Sequence, residues 1–318
     1  MKTILLFLIL FLGFYGDLFH EYPIYIDPLN IGEKDLHILR EVRLPRVLIS
    51  FLAGASLALA GLLVQGSTRN PLSSPSVLGI NTTSSFFVCM FLAISDGSSG
   101  FSTFSVSLIG SFIGVLFLFT MGKLVDFKKF PTRLILVGVC LGMMMGSLTN
   151  LVIILDENNT QSLVYWLLGG VDGKEWKDIF IILFPLLLGL IGSFFLAKPI
   201  ESLKLGDEMS LSLGHRPQMI RIFSISLSVL LVSSVVSTCG PLSFLGLIVP
   251  HLSRKIFGEK FLYLLPLGSF FGGTFLVYAD WFSRYIQFPY ETPVGIISGL
   301  IGGGYFLYLS LKDGAAHA

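Results

Sequence analysis

The sequence predicts an all-α polytopic membrane protein, one transmembrane domain over residues 1–318 with ten crossing helices and both termini cytoplasmic. Three observations carry this reading. Hydrophobic residues make up 53% of the chain and charged residues only 13%, roughly half the ~25% charge of a soluble domain. The few charges are spaced so that apolar intervals of membrane-spanning length recur. Lys and Arg then fall unevenly on the two sides those intervals define. This composition excludes a soluble enzyme and a disordered scaffold, and a net charge of +1 leaves no broad basic face for nucleic acid.

A charge at the bilayer centre costs roughly 2.5–3.5 kcal/mol on insertion scales, so charge-free intervals mark the spans. The first lies between Lys2 and Asp17. It is short enough for a signal peptide, but Gly13-Phe14-Tyr15-Gly16 is too bulky for a small-x-small cleavage site, and a retained first span is expected. Spans two to six follow between Arg46 and Arg69, Arg69 and Asp96, Asp96 and Lys123, Arg133 and Asp156, and Asp178 and Lys198. Before the sixth, Asp172 to Asp178 is an outer segment with Trp176 as an interfacial anchor. The interval Ile222–Ser253 holds 32 residues. As one helix it would run about 48 Å at ~1.5 Å per residue, too long for a ~30 Å hydrocarbon core. Cys239-Gly240-Pro241 sits just past its middle, and Gly-Pro is a strong turn signal, so it divides into two short helices. Lys260–Asp280 and Glu291–Lys312 complete the ten.

With Lys2 inside, the cytoplasmic segments carry 14 Lys and Arg against 7 outside, whereas Asp and Glu divide 6 inside and 14 outside. An undivided Ile222–Ser253 would reverse every later segment, so the positive-inside rule supports the split.

Chemistry is sparse. Cys89, Cys140 and Cys239 fall in spans without CxxC spacing and read as small buried hydrophobes, so no metal site and no cofactor is expected. No span holds a nucleophile with its base, which argues against an intramembrane enzyme. Mid-span positions nearly lack ionisable groups, which argues against an ion-coupled carrier. No GxxxxGK[ST] loop is present, so any ATP hydrolysis belongs to another polypeptide. Such a motor needs a docking surface, and the longest inner loop, Lys198 to Arg221, offers one. Within it Leu205-Gly206 precedes an acidic helix start, Asp207-Glu208, followed by apolar Met209, Leu211 and Leu213 and a closing Gly214. Its acidity distinguishes it from a Lys/Arg-rich helix lying on lipid. Asn70-Pro71 and Pro250-His251 are expected to interrupt helices near the inner leaflet, as helix ends or as parts of a pathway gate. Gly138, Gly142 and Gly146 recur every four residues, a spacing that permits close helix packing, with pathway lining second.

The motifs, taken in order, resemble a known family. Arg43-Leu44-Pro45-Arg46, Gly54-Ala55-Ser56-Leu57-Ala58, Gln65, Arg69-Asn70-Pro71-Leu72 and Leu78-Gly79-Ile80 follow the pattern of the FecCD-type permeases of binding-protein-dependent ABC importers. Tyr165-Trp166-Leu167-Leu168-Gly169-Gly170, Leu205 to Gly214, Gly240 to His251, Ala279-Asp280 and Glu291-Thr292-Pro293-Val294-Gly295-Ile296 continue it, so the match covers about residues 40–312. The likeness is greatest to ferric citrate permeases.

The resemblance implies a ten-helix subunit of the bacterial cytoplasmic membrane, paired with itself or a paralogue. It also implies two cytoplasmic ATP-binding subunits and an extracytoplasmic substrate-binding protein that delivers an iron chelate. By the same resemblance Arg43, Arg46 and Arg284 are expected on the outer face, pairing with carboxylates of the binding protein, a role that suits the bidentate guanidinium fork. The segment with Leu205, Gly206, Asp207, Glu208, Leu213 and Gly214 is expected to couple to the ATPase. Asn70, Pro71, Gly138, Gly142, Pro250 and His251 are candidates for the pathway or gate. A haem or cobalamin permease is the alternative of the same type, and an ion-coupled secondary transporter without an ATPase the alternative of another class.

Overall fold

The computed structural model describes residues 2–19, 32–95, 100–123, 130–156, 159–286 and 290–315. The outer charges Glu21, Asp27, Asp96 and Glu157 and the inner charges Asp126, Lys128 and Lys129, which enter the side-by-side charge count, lie outside these residues. The described residues form helices and no strands. Among them are α1 (Lys2–Phe19), α2 (Glu33–Ile38), a π-helical turn over Leu39–Arg43, α3 (Leu44–Thr68), α4 (Ile80–Ile94), α5 (Gly100–Lys123) and α6 (Phe130–Leu155). There follow α7 (Thr160–Leu167), α8 (Trp176–Leu203), α9 (Asp207–Ser212), α10 (Pro217–Cys239), α11 (Leu245–Phe257), α12 (Phe261–Ile286) and α13 (Val294–Ala315). Six of the described helices are long and apolar enough to cross a membrane, and shorter apolar helices accompany them.

Helix α3 is the axis of the packing, enclosed by α8, α10, α11 and α12. Its small residues allow that. A Cβ on Gly61 would sit 2.1 Å from the Gly246 carbonyl oxygen, and one on Gly54 would sit 2.3 Å from that of Gly272, so the backbones of α11 and α12 lie directly against α3. The expected interruption at Pro250 does not occur: α11 runs through Pro250 to Phe257. Proline supplies no N–H to the Gly246 carbonyl, and that carbonyl faces the bare Cα of Gly61 instead.

The break at Gly240 does occur, but its halves are unequal. Helix α10 has 23 residues and ends on Gly240 at φ +72°, whereas α11 has 13, about 20 Å of rise, short of a full crossing. The irregular backbone between them is kept satisfied. Asn81 Nδ2 donates to the Leu242 carbonyl, Gly170 N–H donates to the Cys239 carbonyl, and Gly295 N–H donates to that of Gly169. Three separate sequence motifs, around Gly169, Gly240 and Gly295, thus meet in one knot of backbone. Non-helical chain is tolerated inside the bundle because protein encloses it and bonds its polar groups.

A second difference concerns the outer arginines. No loop precedes α3, since one continuous helix runs from Glu33 to Thr68 through the π turn, carrying Arg40, Arg43 and Arg46 on its walls. Cys89 and Cys239 are buried as expected, but Cys140 is exposed on α6, whose outward face is apolar: Leu136, Met143, Leu151 and Ile154 all stand out from the fold.

Candidate functional site at the two ends of the bundle

The ends are named from the charge distribution, outer where Arg46 and Asp280 lie and inner where Arg69 and Asp207 lie. At the outer end Arg46 is held by a carboxylate fork. Its Nε and Nη2 each donate to Asp280 at 3.0 Å, and its Nη1 donates to Glu291 at 2.8 Å. Arg284, one turn beyond Asp280 on α12, donates to the same carboxylate at 2.6 Å and also pairs with Asp17 of α1. Arg43 donates to the Leu18 carbonyl at 2.6 Å. All three arginines are buried, as are Asp17 and Asp280, while the Glu291 side chain is 43% exposed. Arg43, Arg46 and Arg284 are therefore brought together, but inside the protein and already engaged rather than displayed on an open face. Among the described residues three guanidinium groups against Asp17, Asp280 and Glu291 balance in charge, which is what burial demands, because an unpaired charge in this environment is very costly.

The first helix is part of this assembly. Besides Asp17, it offers the Ile9 carbonyl to the Tyr278 hydroxyl at 2.7 Å. The side chains of Tyr278 and Trp281 on α12 lie over Gly13 and Gly16.

At the inner end, α9 hangs from the bundle by its first residue. Arg221 of α10 donates twice to Asp207, at 2.9 and 3.0 Å, and Arg69, at the end of α3, pairs with the same carboxylate at 3.0 Å. Arg221 also reaches the Ser67 carbonyl, and Arg69 that of Leu203. One carboxylate therefore ties α9 to the ends of α3, α8 and α10. The buried Ser210 hydroxyl adds a bond of 2.7 Å to Ser202 on α8.

Gly206 enters the helix at φ +101° and Gly214 leaves it at φ +82°, backbone that side chains with a Cβ rarely adopt. The exit is a Schellman closure, with His215 N–H donating to the Ser210 carbonyl and Gly214 N–H to that of Leu211. Leu205, Met209, Leu211 and Leu213 are each more than half exposed, and Glu208 is exposed beside them. The result is a short rigid helix with an apolar rim standing free of its own fold.

The remaining candidates are dispersed. Asn70 closes the end of α3 with an Asx turn, its Oδ1 accepting from Leu72 N–H at 2.8 Å, and Pro71 follows in the turn, so this interruption is present. Gly138 packs on the backbone of Val77 and Leu78, and Gly142 faces Thr82, which is close helix packing. His251 stacks edge-on to Tyr305. Among the described residues no cluster of three His, Cys, Asp or Glu could hold a metal.

Sequence reasoning missed Asp17, Arg69 and Arg221 as members of these clusters. Only the placement of Asp280 and Glu291 inside motifs hinted that the outer arginines had partners within the chain.

Comparison with known proteins supplies the context for this geometry. The FecCD transport family matches residues 3–312. The chain is 39% identical over 282 residues, 88% of its length and 83% of the relative's, to the Fe(3+)-citrate import system permease protein YfmD of Bacillus subtilis. It is 33% identical over 281 residues, 88% of its length and 87% of the relative's, to the Fe(3+) dicitrate transport system permease protein FecD of Escherichia coli. A solved structure described as an inward-facing metal-chelate type ABC transporter superposes with a TM-score of 0.86 at 28% identity, covering 96% of this chain and 97% of that one.

Proposed function

The chain belongs to the FecCD transport family, and given that membership we propose that it is the membrane-spanning permease subunit of an ABC importer that moves a ferric citrate-like iron chelate inward. The chain itself carries no phosphate loop, so the ATPase is a separate cytoplasmic pair of subunits, and a second permease subunit, this chain or a paralogue, completes the pathway. The full arrangement has ten crossings, with α11 and the bend at Gly240 together serving as one of them, both termini cytoplasmic, in the inner membrane of a bacterium. The packing of α1 on α12 supports the first helix as a retained span.

The observation that carries the reading is α9. Its apolar rim faces away from the bundle while Asp207 binds it to the ends of three helices, so a motor that grips Leu205, Met209, Leu211 and Leu213 moves those helices. Helix α3 extends that linkage to the opposite end, because Arg69 holds Asp207 at one terminus and Arg46 holds Asp280 at the other. Closure of the ATPase pair on nucleotide is transmitted along it, and the two permease subunits alternate between outward and inward access.

At the outer end a substrate-binding protein docks through Arg43, Arg46 and Arg284. Each is already engaged within the chain, so docking exchanges partners: an incoming carboxylate competes with Glu291, the exposed member of the cluster. The ion-coupled alternative loses support from the same geometry, since the buried carboxylates Asp17 and Asp280 are both held by arginine and are unavailable to carry a coupling proton.

The test is uptake of radiolabelled ferric citrate into proteoliposomes holding the permease pair and ATPase, with binding protein outside and ATP within. Transport is expected to require all components and to stop with vanadate. Uptake driven by an ion gradient without ATP would refute the assignment.

A further inference from the structure

A cavity of about 380 Å³ opens among the inner ends of α3, α8, α11 and α12, and Gln65, Arg69, Lys204, Arg254 and Glu259 line it. Three cations thus face one carboxylate. Two of the three are accounted for. Lys204 pairs with Glu259 at 3.0 Å, which holds that carboxyl below its usual range, and Arg69 shares Asp207 with Arg221.

Arg254 is different. Among the described residues it makes no ion pair, and its bond goes to the neutral Gln65 Oε1 at 2.5 Å. Gln65 is itself oriented by donating to the Leu247 carbonyl at 3.1 Å. A half-buried guanidinium aimed into a cavity and steadied by a fixed amide keeps its charge and most of its donors available. Its planar fork matches a carboxylate.

From this geometry we infer that the cavity is a socket for an acidic side chain of the ATP-hydrolysing partner, a second docking point beside the apolar rim of α9. The inference rests on the importer reading above. Two features select this occupant. Lys204, which caps α8 and lines the cavity, directly precedes Leu205 of the α9 rim, so the two surfaces adjoin along the chain. The helix ending in the cavity wall is α3, the most enclosed of the candidate spans, so the opening lies at the end of the bundle rather than on its lipid-facing flank. The excess of positive charge in the lining sets the sign of the partner group, and the rim of α9 supplies the apolar contact that a lone ion pair lacks.

The experiment measures the affinity of the purified ATPase subunit for the intact permease in nanodiscs across a series of salt concentrations. Arg254→Gln is expected to weaken association about tenfold at low salt and to flatten the salt dependence, with Arg254→Lys retaining part of the affinity. Lys204→Gln, at an exposed position that tolerates change, is expected to weaken it a few-fold and covers the case in which Arg254 variants fail to fold. Lys255→Gln removes an equal charge one residue away, outside the cavity wall, and is expected to change affinity less than twofold.

Unchanged affinity in both Arg254→Gln and Lys204→Gln overturns the socket. So does an anionic phospholipid that co-purifies with the wild-type permease and is lost in Arg254→Gln while ATPase binding is unaltered. A wild-type permease that binds no ATPase at all overturns the importer reading and the socket together.

Discussion

Asp280 and Asp207 occupy matching positions at opposite ends of the molecule. Each is a carboxylate that bridges two arginines from different parts of the chain, and each takes one of those arginines from an end of α3. Their surroundings differ. The Asp280 side chain is 1% exposed, the Asp207 side chain 40%. Apart from the part-exposed Glu291 the outer cluster is closed, and its described residues balance in charge. The inner one is open to water at Asp207 and Arg69, though not at Arg221, and borders a cavity with charge to spare. Buried ion pairs are costly to break but add little by existing, whereas pairs open to water are weak and easily rearranged. The outer cluster is thus suited to fixing α1, α3 and α12 in register, and the inner one to a part that must move.

The largest expected effect tests that contrast directly. Asp280→Ala leaves Arg46 and Arg284 without their shared acceptor in a dry site and is expected to cost about 3–5 kcal/mol, read as a collapse in thermal stability of the detergent-solubilised protein. Asp207→Ala, where water reaches Arg69 and the buried Arg221 keeps its bond to the Ser67 carbonyl, is expected to cost less, about 1–3 kcal/mol, yet to abolish ATP-driven uptake. Equal losses of stability would break the comparison.

Next in size is Gly206→Val. A β-branched residue at φ +101° is strained, so α9 is expected to lose its placement. Uptake is expected to fall more than tenfold while ATP hydrolysis by the assembled complex persists; normal uptake would remove α9 from the coupling path.

Smaller again, Arg43→Glu with Arg46→Glu is expected to weaken binding-protein association, most at low salt where electrostatic docking is strongest. A control is needed here, because these changes also disturb a buried cluster. Glu291→Gln provides it. Neutralising the exposed competitor is expected to strengthen docking by a few-fold with stability within about 1 kcal/mol of wild type. Weaker docking in Glu291→Gln would show that the pairing does not compete with the partner.

Much of the architecture was legible from the chain because membranes punish misplaced charge. The charge-free intervals located α5, α6 and α8 closely, and Gly240-Pro241 located the bend. The α9 segment could be read from its own residues, since an acidic start, an apolar rim and a terminal glycine are all local signals.

Pairing at a distance was not legible. Arg46 and Asp280 are separated by 234 positions, and no composition or periodicity argument joins them, so the outer arginines looked like surface groups awaiting a partner. Helix continuity through Arg40, Arg43 and Arg46 escaped for the same reason, as those charges look like a loop until the acceptors of Arg43 and Arg46 are known. The passage of α11 through Pro250 depends on Gly61, on another helix, accommodating the carbonyl that the proline strands.

The separation between Arg46 and Asp280 also bears on how the protein is made. Arg46 enters the bilayer early in translation, while its acceptor is among the last helices to leave the ribosome. At roughly 5–20 residues per second, the nascent chain waits on the order of tens of seconds before Asp280, and after it Glu291, can pair with that arginine. The N-terminal helices therefore cannot settle until α12 arrives. A truncated product lacking α12 would keep stranded charges in the membrane, a mark by which quality-control proteases could recognise an unfinished subunit before it joins a transporter.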